Sequence, residues 1–513
     1  MSIRGVYANF FRKSPGRRPG SFAENALKAI WKASDSKNLH FLALFLLALA
    51  FVSREILLPS GHWSEEAWVA INGELAREIP RAPAIHHTWY TSIFIYAIFS
   101  EILSPGNLGM IINARIVTAA LFSIAPIFLY IFATREKLLP GRWAFFSSLL
   151  MYFLPLVSNY ATFGVWPELI AAFFACMFLF AFSITRNALL LGIVAGVGIC
   201  SKLIFLYFLI PFLVFYGVWQ GKVSLKGFMR ISAVSAIAVG IQTAFGNISF
   251  GGLSGIVDFG SMRAYFLERL YTIVSGGYFL HAFDGYPYKG SFLPVYYALF
   301  GAVILGGLLS KGETKGLFLS WLASILFLFA PVAWVVPGHM IPTAPLFSVV
   351  LFSIFRKNGP FLAAISGVAI LLTVGAFLKE DMRYGELSDF SYGSHPVESY
   401  LSENLKNSGR SFVLFDPDYA FCFERKWSRE IFSKTLGMNA PEYGLLVPEE
   451  DDFPYSDEIF VLPKGHYSGE INAKEVAQIS ELLERRARLI YEEGDGTKFN
   501  VFIGERFPLP GKI

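Results

Sequence analysis

Long apolar runs separated by short polar segments dominate the first three quarters of the chain. A membrane-spanning helix needs about 20 mainly apolar residues, and runs of that kind recur between residues 39 and 378. The polar pair Ser201-Lys202 interrupts a run that is too long for one helix. The pattern therefore predicts eleven spans, at 39–58, 116–134, 143–159, 164–184, 187–201, 203–219, 228–247, 291–309, 316–336, 340–355 and 359–378.

The last part of the chain, residues 379–513, has a different pattern, in which short β-like runs alternate with helical runs. The alternation predicts a small α/β domain. Helices are predicted at 396–405 and 473–488. Strands are predicted at 411–415, 443–447, 458–462, 489–492 and 499–504.

Composition supports a membrane protein. Hydrophobic residues make up 54% of the 513 residues and charged residues 16%, against about 45–50% and about 25% in soluble domains. These values exclude a disordered chain and an ordinary cytosolic enzyme. The three cysteines (Cys176, Cys200 and Cys422) form neither a disulfide framework nor a metal-binding motif. No cleavable signal peptide is apparent.

Charge divides the chain and predicts its orientation. The tail from residue 379 holds 16 basic and 25 acidic residues, and the first 378 residues hold 27 basic and 14 acidic ones. Cytoplasmic segments of membrane proteins are enriched in Lys and Arg. With a cytoplasmic segment 1–38, the predicted inner side holds 19 of the 27 basic residues. An odd number of spans then places 379–513 outside the membrane.

Two long outer loops, at about 59–115 and 248–290, carry most of the outer acidic residues and many aromatic ones. Loops of this length are commonly functional. In the first loop, Ser64 is a candidate cap for a helix with Trp68 and Ile71 on its apolar face. The run 89–103 is too short to span and contains a glutamate, so we expect a second helix in the plane of the membrane surface.

Several charged residues near the outer surface are candidates for chemistry. Glu65 and Glu66 either complement a helix dipole or face the basic residues of a polar site. Glu168 and Lys202 lie in or at the end of apolar helices, where charge is costly. They form either a structural ion pair or part of a polar cavity in which Lys202 binds an anion. Arg115 opens the second span and either anchors it or binds phosphate.

Six short motifs, in order over about residues 40–350, give the chain a family resemblance. It resembles the GT-C glycosyltransferases, and most nearly the protein mannosyltransferase and aminoarabinose transferase group. In this chain Glu65 stands where the family usually has Asp, and the family's Lys/His-Pro-Pro element lacks its prolines. The motifs are His62–Trp68, Ala84–Tyr90, Asn113–Val117, Val165–Leu169, Gly198–Leu203 and Gly338–Pro342.

The resemblance implies an inverting hexosyl- or pentosyltransferase that moves a sugar from a polyprenyl-phosphate donor to a hydroxyl of a glycolipid, polysaccharide or protein. It implies Glu65 as the general base with Glu66 assisting, in the bacterial inner membrane with a periplasmic C-terminal domain. No cofactor is required, and the sequence does not support a divalent cation. Donor-phosphate or substrate contacts are expected from Lys202, Arg115, His86, His87, Tyr90, Glu168, Arg263 and His339.

Two other functions fit parts of the pattern. A transporter or flippase of lipid-linked glycans would also be polytopic, but transporters commonly contain internal repeats and midplane charges. No repeat is evident in this chain, and its charges concentrate on the predicted outer side. A ligase or polymerase that uses a diphosphate-linked glycan would share most of the chemistry.

Overall fold

The computed structural model describes most of the helical region and four strands of the tail. The chain divides into two units, one comprising 1–58, 89–92 and 118–382, and the other 59–88, 93–117 and 383–513. The described residues are 36–57, 95, 110–162, 167–246, 270–283, 287–327, 337–386, 412–414, 459–463, 481, 484–485, 487–492 and 499–504.

Helices account for nearly all of the described part of the first unit. A π-helical turn, Phe212–Val218, continues α7, and a 3-10 helix, Pro337–Thr343, leads directly into α12 and is called the 3-10 segment below. The α-helices are α1 (Lys37–Leu57), α2 (Met110–Arg135), α3 (Gly141–Phe153), α4 (Pro155–Thr162), α5 (Pro167–Ile184), α6 (Ala188–Ser201), α7 (Phe205–Pro211), α8 (Leu225–Gly246), α9 (Gly277–Leu280), α10 (Lys289–Leu309), α11 (Gly312–Phe327), α12 (Ala344–Phe355) and α13 (Gly359–Glu386).

Four described segments are long and apolar enough to cross a membrane: Ala114–Arg135, Pro167–Ile184, Lys289–Leu309 and Pro337–Phe355. Shorter apolar helices lie at other predicted spans, and the count of eleven stays a prediction. The break predicted at Ser201-Lys202 is present, because α6 ends at Ser201 and α7 begins at Phe205. The predicted span 143–159 is a helix interrupted at Leu154, directly before Pro155.

Some helices present apolar side chains outward instead of burying them. On α1, Phe45 is 57% exposed, and on α10 Leu309 is 72% exposed. Exposed apolar faces of this extent are unusual for a soluble monomer. They are what a bundle in contact with lipid tails requires, so the burial pattern agrees with a membrane protein.

A charge cluster joins four elements at the end of the bundle that the charge pattern predicts to be inner. Glu136 accepts hydrogen bonds from Arg186 Nη2 (2.6 Å) and Tyr216 Oη (3.0 Å). Lys222 Nζ lies 3.3 Å from Glu136 Oε2 and also pairs with Glu313. Burial alone would lower the pKa of Lys222, but these carboxylates raise it overall. Both carboxylate oxygens of Glu136 are therefore satisfied.

Four strands of the second unit form one sheet in the order β1-β2-β4-β3. β1 pairs with β2 in parallel, and the other two pairings are antiparallel. The four described strands lie close to predicted ones, whereas the predicted strand 443–447 and helix 396–405 lie outside the described residues. The helix predicted at 473–488 runs two residues too far, since β3 already begins at Ala487. The strands are β1 (Phe412–Leu414), β2 (Ile459–Pro463), β3 (Ala487–Glu492) and β4 (Phe499–Gly504).

Candidate active site

Three of the predicted site residues meet at the predicted outer end of the first unit. Glu168 lies in the first turn of α5, Lys202 directly follows α6, and His339 lies in the 3-10 segment. Lys202 Nζ donates to Glu168 Oε1, and His339 Nε2 lies 3.8 Å from the same oxygen. We call these three residues the outer cluster.

The residues at and before Glu168 favour the start of a helix at this position. Pro167 is the first residue of α5, a position where proline costs nothing because its missing N–H would have no helical partner. A carboxylate in the next position interacts favourably with the positive end of the helix dipole. The start of α5 therefore holds Glu168 at the predicted outer end of the helix bundle.

Lys202 is released from α6 by a local break. Its backbone is extended (φ −161°, ψ 138°), and the hydroxyl of Ser201 donates back to the carbonyl of Gly198 (2.6 Å). A Cβ at Gly198 would lie only 2.7 Å from the ring of Phe205. The glycine thus lets the next helix pack over the end of α6, and Lys202 turns toward Glu168.

Glu168 is the most buried member of the outer cluster, with 1% of its side chain exposed, against 13% for Lys202 and 12% for His339. Its Oε1 is paired, but its Oε2 is buried and has no hydrogen-bond partner among the residues that the structure describes. Glu136 directly follows α2 and pairs with Arg186, two residues beyond the C-terminal end of α5. It differs from Glu168, since both of its oxygens are satisfied. Buried polar atoms without partners are uncommon, so Glu168 has capacity for one more hydrogen bond.

The pairing of Lys202 with Glu168 matches the structural ion pair considered from the sequence. It leaves the proposed anion-binding role open, because an ammonium group has three donors and Lys202 is the more exposed partner. Arg115 is buried near the start of α2, 1% exposed. The other candidates, Glu65, Glu66, His86, His87, Tyr90 and Arg263, lie outside the described residues.

Sequence reasoning did not single out two residues that are hydrogen-bonded to each other close to the outer cluster, Tyr278 and Thr343. Tyr278 is predicted only as one of several packing aromatics in the second outer loop, and Thr343 carries no signal by itself. In the structure, Thr343 is the last residue of the 3-10 segment that carries His339, and Tyr278 is hydrogen-bonded to it. The double glycine Gly276-Gly277 before Tyr278 is the sequence feature that indicates a turn with an unusual backbone conformation there.

The described residues contain no group of three or more His, Cys, Asp or Glu side chains that could hold a metal ion. The ammonium group of Lys202 can bind an anion, with His339 as a second hydrogen-bond donor. The carboxylate of Glu168 can accept a hydrogen bond from a hydroxyl group.

Comparisons with known proteins identify the fold. No protein-family model and no curated protein matches the sequence. Among solved structures, ArnT from Cupriavidus metallidurans bound to undecaprenyl phosphate matches with a TM-score of 0.58 at 10% identity, over 91% of this chain and 98% of ArnT. Apo ArnT matches over the same shares with a TM-score of 0.56 at 11% identity.

A weaker match is the oligosaccharyltransferase of Archaeoglobus fulgidus tethered with an acceptor peptide. Its TM-score is 0.44 at 13% identity, over 78% of this chain and 63% of that protein. A TM-score below 0.5 is too low for a conclusion about this chain. The match to ArnT, at its low identity, concerns the fold and extends over nearly the whole length of both chains. The chain therefore has the GT-C membrane fold, as its motifs predicted.

Proposed function

We propose that the protein is an integral membrane glycosyltransferase that moves a sugar from a polyprenyl-phosphate donor to an acceptor hydroxyl on the outer side of the membrane. The outer cluster is the observation that carries the proposal. It places a lysine, a histidine and a buried carboxylate with spare hydrogen-bonding capacity together, in the fold of a protein solved with undecaprenyl phosphate.

In the proposed reaction, the acceptor oxygen attacks the anomeric carbon of the sugar while its proton passes to Glu65. The bond between that carbon and the phosphate oxygen breaks, and its electron pair leaves with the polyprenyl phosphate. Attack from the face opposite the leaving group inverts the anomeric carbon. Glu66 orients the acceptor, and Lys202 and His339, with Arg115 and Arg263, stabilise the charge that develops on the phosphate.

The proposed topology supports this reaction. Eleven spans with a cytoplasmic segment 1–38 place both long loops and residues 379–513 on the outer side of the bacterial inner membrane. The catalytic glutamates would then lie in the first of these loops, beside the outer-leaflet donor. Apolar grooves between helices would hold the prenyl chain.

The role of Lys202 can be tested by binding of undecaprenyl phosphate to the purified full-length protein, with undecaprenol as the probe that lacks phosphate. Lys202→Met alone would leave Glu168 without its ammonium partner, so the informative variant combines Lys202→Met with Glu168→Gln. We expect this double variant to fold and to bind undecaprenyl phosphate at least tenfold more weakly, since a charged hydrogen bond to phosphate contributes about 1.5–3 kcal/mol.

Lys226→Met is the matched control, because it removes an exposed lysine at the start of α8, the end of that helix predicted to be inner. Glu168→Gln alone should retain binding, since Lys202 is still present. Unchanged affinity in the double variant would assign phosphate binding to other residues, and equal binding of undecaprenol and undecaprenyl phosphate would argue against a phosphate site.

A further inference from the structure

A chain of buried hydrogen bonds ends one residue away from His339. Trp321 Nε1 donates to Tyr278 Oη at 3.3 Å, and the hydroxyls of Tyr278 and Thr343 are hydrogen-bonded to each other. Thr343 Oγ1 also lies 2.7 Å from the carbonyl oxygen of Met340. The chain links α11, α9 and the 3-10 segment, three elements that are distant in sequence.

The direction of each hydrogen bond follows from the number of hydrogens available. The carbonyl of Met340 only accepts, so the single hydroxyl hydrogen of Thr343 is used there. Thr343 must then accept from Tyr278, and Tyr278 in turn accepts from the indole N–H of Trp321, which only donates. Burial raises the pKa of the Tyr278 hydroxyl, so this hydroxyl keeps the proton that it donates.

The backbone before Tyr278 is built for this contact. Gly276 has φ +132° and Gly277 has φ +51°, values that residues with a side chain rarely adopt. A Cβ would lie 2.2 Å from Leu280 Cβ at Gly276 and 2.6 Å from Tyr296 Oη at Gly277. The turn that directs Tyr278 into the bundle therefore requires both glycines.

Aromatic packing fixes the ring that carries the hydroxyl. Tyr278 stacks on Phe347 with ring centroids 4.7 Å apart, and Trp321 contacts the same ring at 5.3 Å. All three side chains and Thr343 are at most 3% exposed. Because the rings cannot reorient without losing this packing, the hydroxyl of Tyr278 is held in one place.

We propose that Tyr278 is a positioning residue for donor binding, an inference that rests on the proposed function. Through Thr343 it holds the 3-10 segment, and so keeps His339 near Glu168 and directed at the site of the lipid phosphate. Thr343 contributes its hydroxyl, and Trp321 orients the hydroxyl of Tyr278. None of the three contacts the reacting atoms.

Tyr278→Phe tests the proposal because it removes one oxygen and keeps the ring. We expect the dissociation constant for undecaprenyl phosphate to rise about three- to tenfold, the range for one hydrogen bond inside a membrane protein. Thr343→Val should have the same effect, and Thr343→Ser, which keeps the hydroxyl, should restore wild-type affinity. Tyr278→Phe combined with Thr343→Val should bind no worse than either variant alone.

Tyr152→Phe is the matched control. Tyr152 is also fully buried, and its hydroxyl donates to the carbonyl of Ser123, but neither residue contacts the 3-10 segment through that bond. Both Tyr→Phe variants should lower the thermal unfolding temperature by similar amounts. Only Tyr278→Phe should weaken lipid-phosphate binding.

Wild-type affinity in Tyr278→Phe, or equal weakening in Tyr152→Phe, would overturn the positioning role while the proposed function stands. A wild-type protein that does not bind undecaprenyl phosphate would overturn both proposals. The two failures are thus distinguishable in one set of binding measurements.

Discussion

Two buried glutamates, Glu136 directly after α2 and Glu168 in the first turn of α5, have different hydrogen-bonding environments. Glu136 is surrounded by Arg186, Lys222 and Tyr216, which satisfy both of its oxygens. Glu168 has one firm partner, Lys202, and one oxygen without a partner. A carboxylate whose oxygens both have hydrogen-bond partners is typical of a structural contact. A carboxylate with one oxygen left without a partner is better suited to a site that binds a ligand.

The contributions of Lys202 and Glu168 to the free energy of unfolding should be strongly coupled. Lys202→Met leaves a buried carboxylate without compensation, which costs about 3–5 kcal/mol. Combining it with Glu168→Gln removes both charges and should recover most of that loss. Thermal unfolding of the four purified proteins, wild type, two single variants and the double variant, measures the coupling. Additive effects would mean that the two side chains do not interact.

The general base is predicted at Glu65. Glu65→Gln keeps the size of the side chain but cannot accept a proton, so turnover should fall about 10²–10⁴-fold, while undecaprenyl phosphate binding is kept. Glu66→Gln should be milder, because that residue is expected only to orient the acceptor. Turnover can be followed by mass spectrometry of lipid-linked glycans in a deletion strain that carries each variant.

Two outcomes for these glutamates would change the assignment. A Glu65→Gln protein that restores the glycan profile fully would remove Glu65 from catalysis, as would be expected if the glutamate only complements a helix dipole. An inactive Glu66→Gln beside an active Glu65→Gln would move the base by one residue.

At the scale of elements, α6 and α8 approach each other through small residues. A Cβ on Gly192 would lie 2.5 Å from Val234 Cβ, and one on Gly196 would lie 2.5 Å from Ala238 Cβ. Ser235 Oγ donates to the carbonyl of Gly192 across the interface (3.1 Å). In lipid, close packing of small residues is a main source of helix association, so this contact fixes the helix that directly precedes Lys202.

Gly196→Leu should therefore separate α6 from α8 and destabilise the protein by about 1–3 kcal/mol, the usual cost of overpacking. Gly240→Leu is the control, since a Cβ at Gly240 on α8 meets no atom within 4 Å. Unfolding temperatures in detergent compare the two. A Gly240→Leu protein that is as unstable as Gly196→Leu would indicate a general intolerance of leucine at helical glycines.

At the scale of the whole molecule, charge distribution predicts orientation. The net charge is +13 over the first 378 residues and −9 over the remainder, and the basic residues concentrate on alternate loops. The positive-inside rule relates this pattern to insertion and not to folding. It therefore applies to the whole chain, including parts outside the described residues.

Orientation can be measured with a cysteine at position 456, in the acidic tail. If the chain has eleven spans, Ser456→Cys should react with a thiol reagent that cannot cross the inner membrane, in cells whose inner membrane is intact. The inner control is Ser224→Cys, at an exposed position between the π-helical turn and α8. Both cysteine variants also carry Cys422→Ser, because Cys422 lies in the same predicted outer tail and would itself react. The Ser224→Cys protein should react only after permeabilisation. Labelling of position 456 only after permeabilisation would require an even number of spans.

Local sequence was sufficient for the helical class, the break at Ser201-Lys202 and the approximate strand positions. Each of these depends on a short stretch of chain: an apolar run, a Gly-x-x-Ser-Lys end or an alternating strand. Six short motifs also predicted the GT-C fold, which the structural match to ArnT at 10–11% identity confirms.

Tertiary structure alone decided which polar groups meet. The sequence indicated either a structural ion pair of Lys202 and Glu168 or a polar cavity in which Lys202 binds an anion, and only the packing of α5 against α6 showed that the two side chains meet. The contact of His339 with Glu168 and the hydrogen bonds from Trp321 through Tyr278 to Thr343 join residues 43 to 171 positions apart. No local pattern encodes such contacts, because they depend on how the helices pack and not on the residues beside each one.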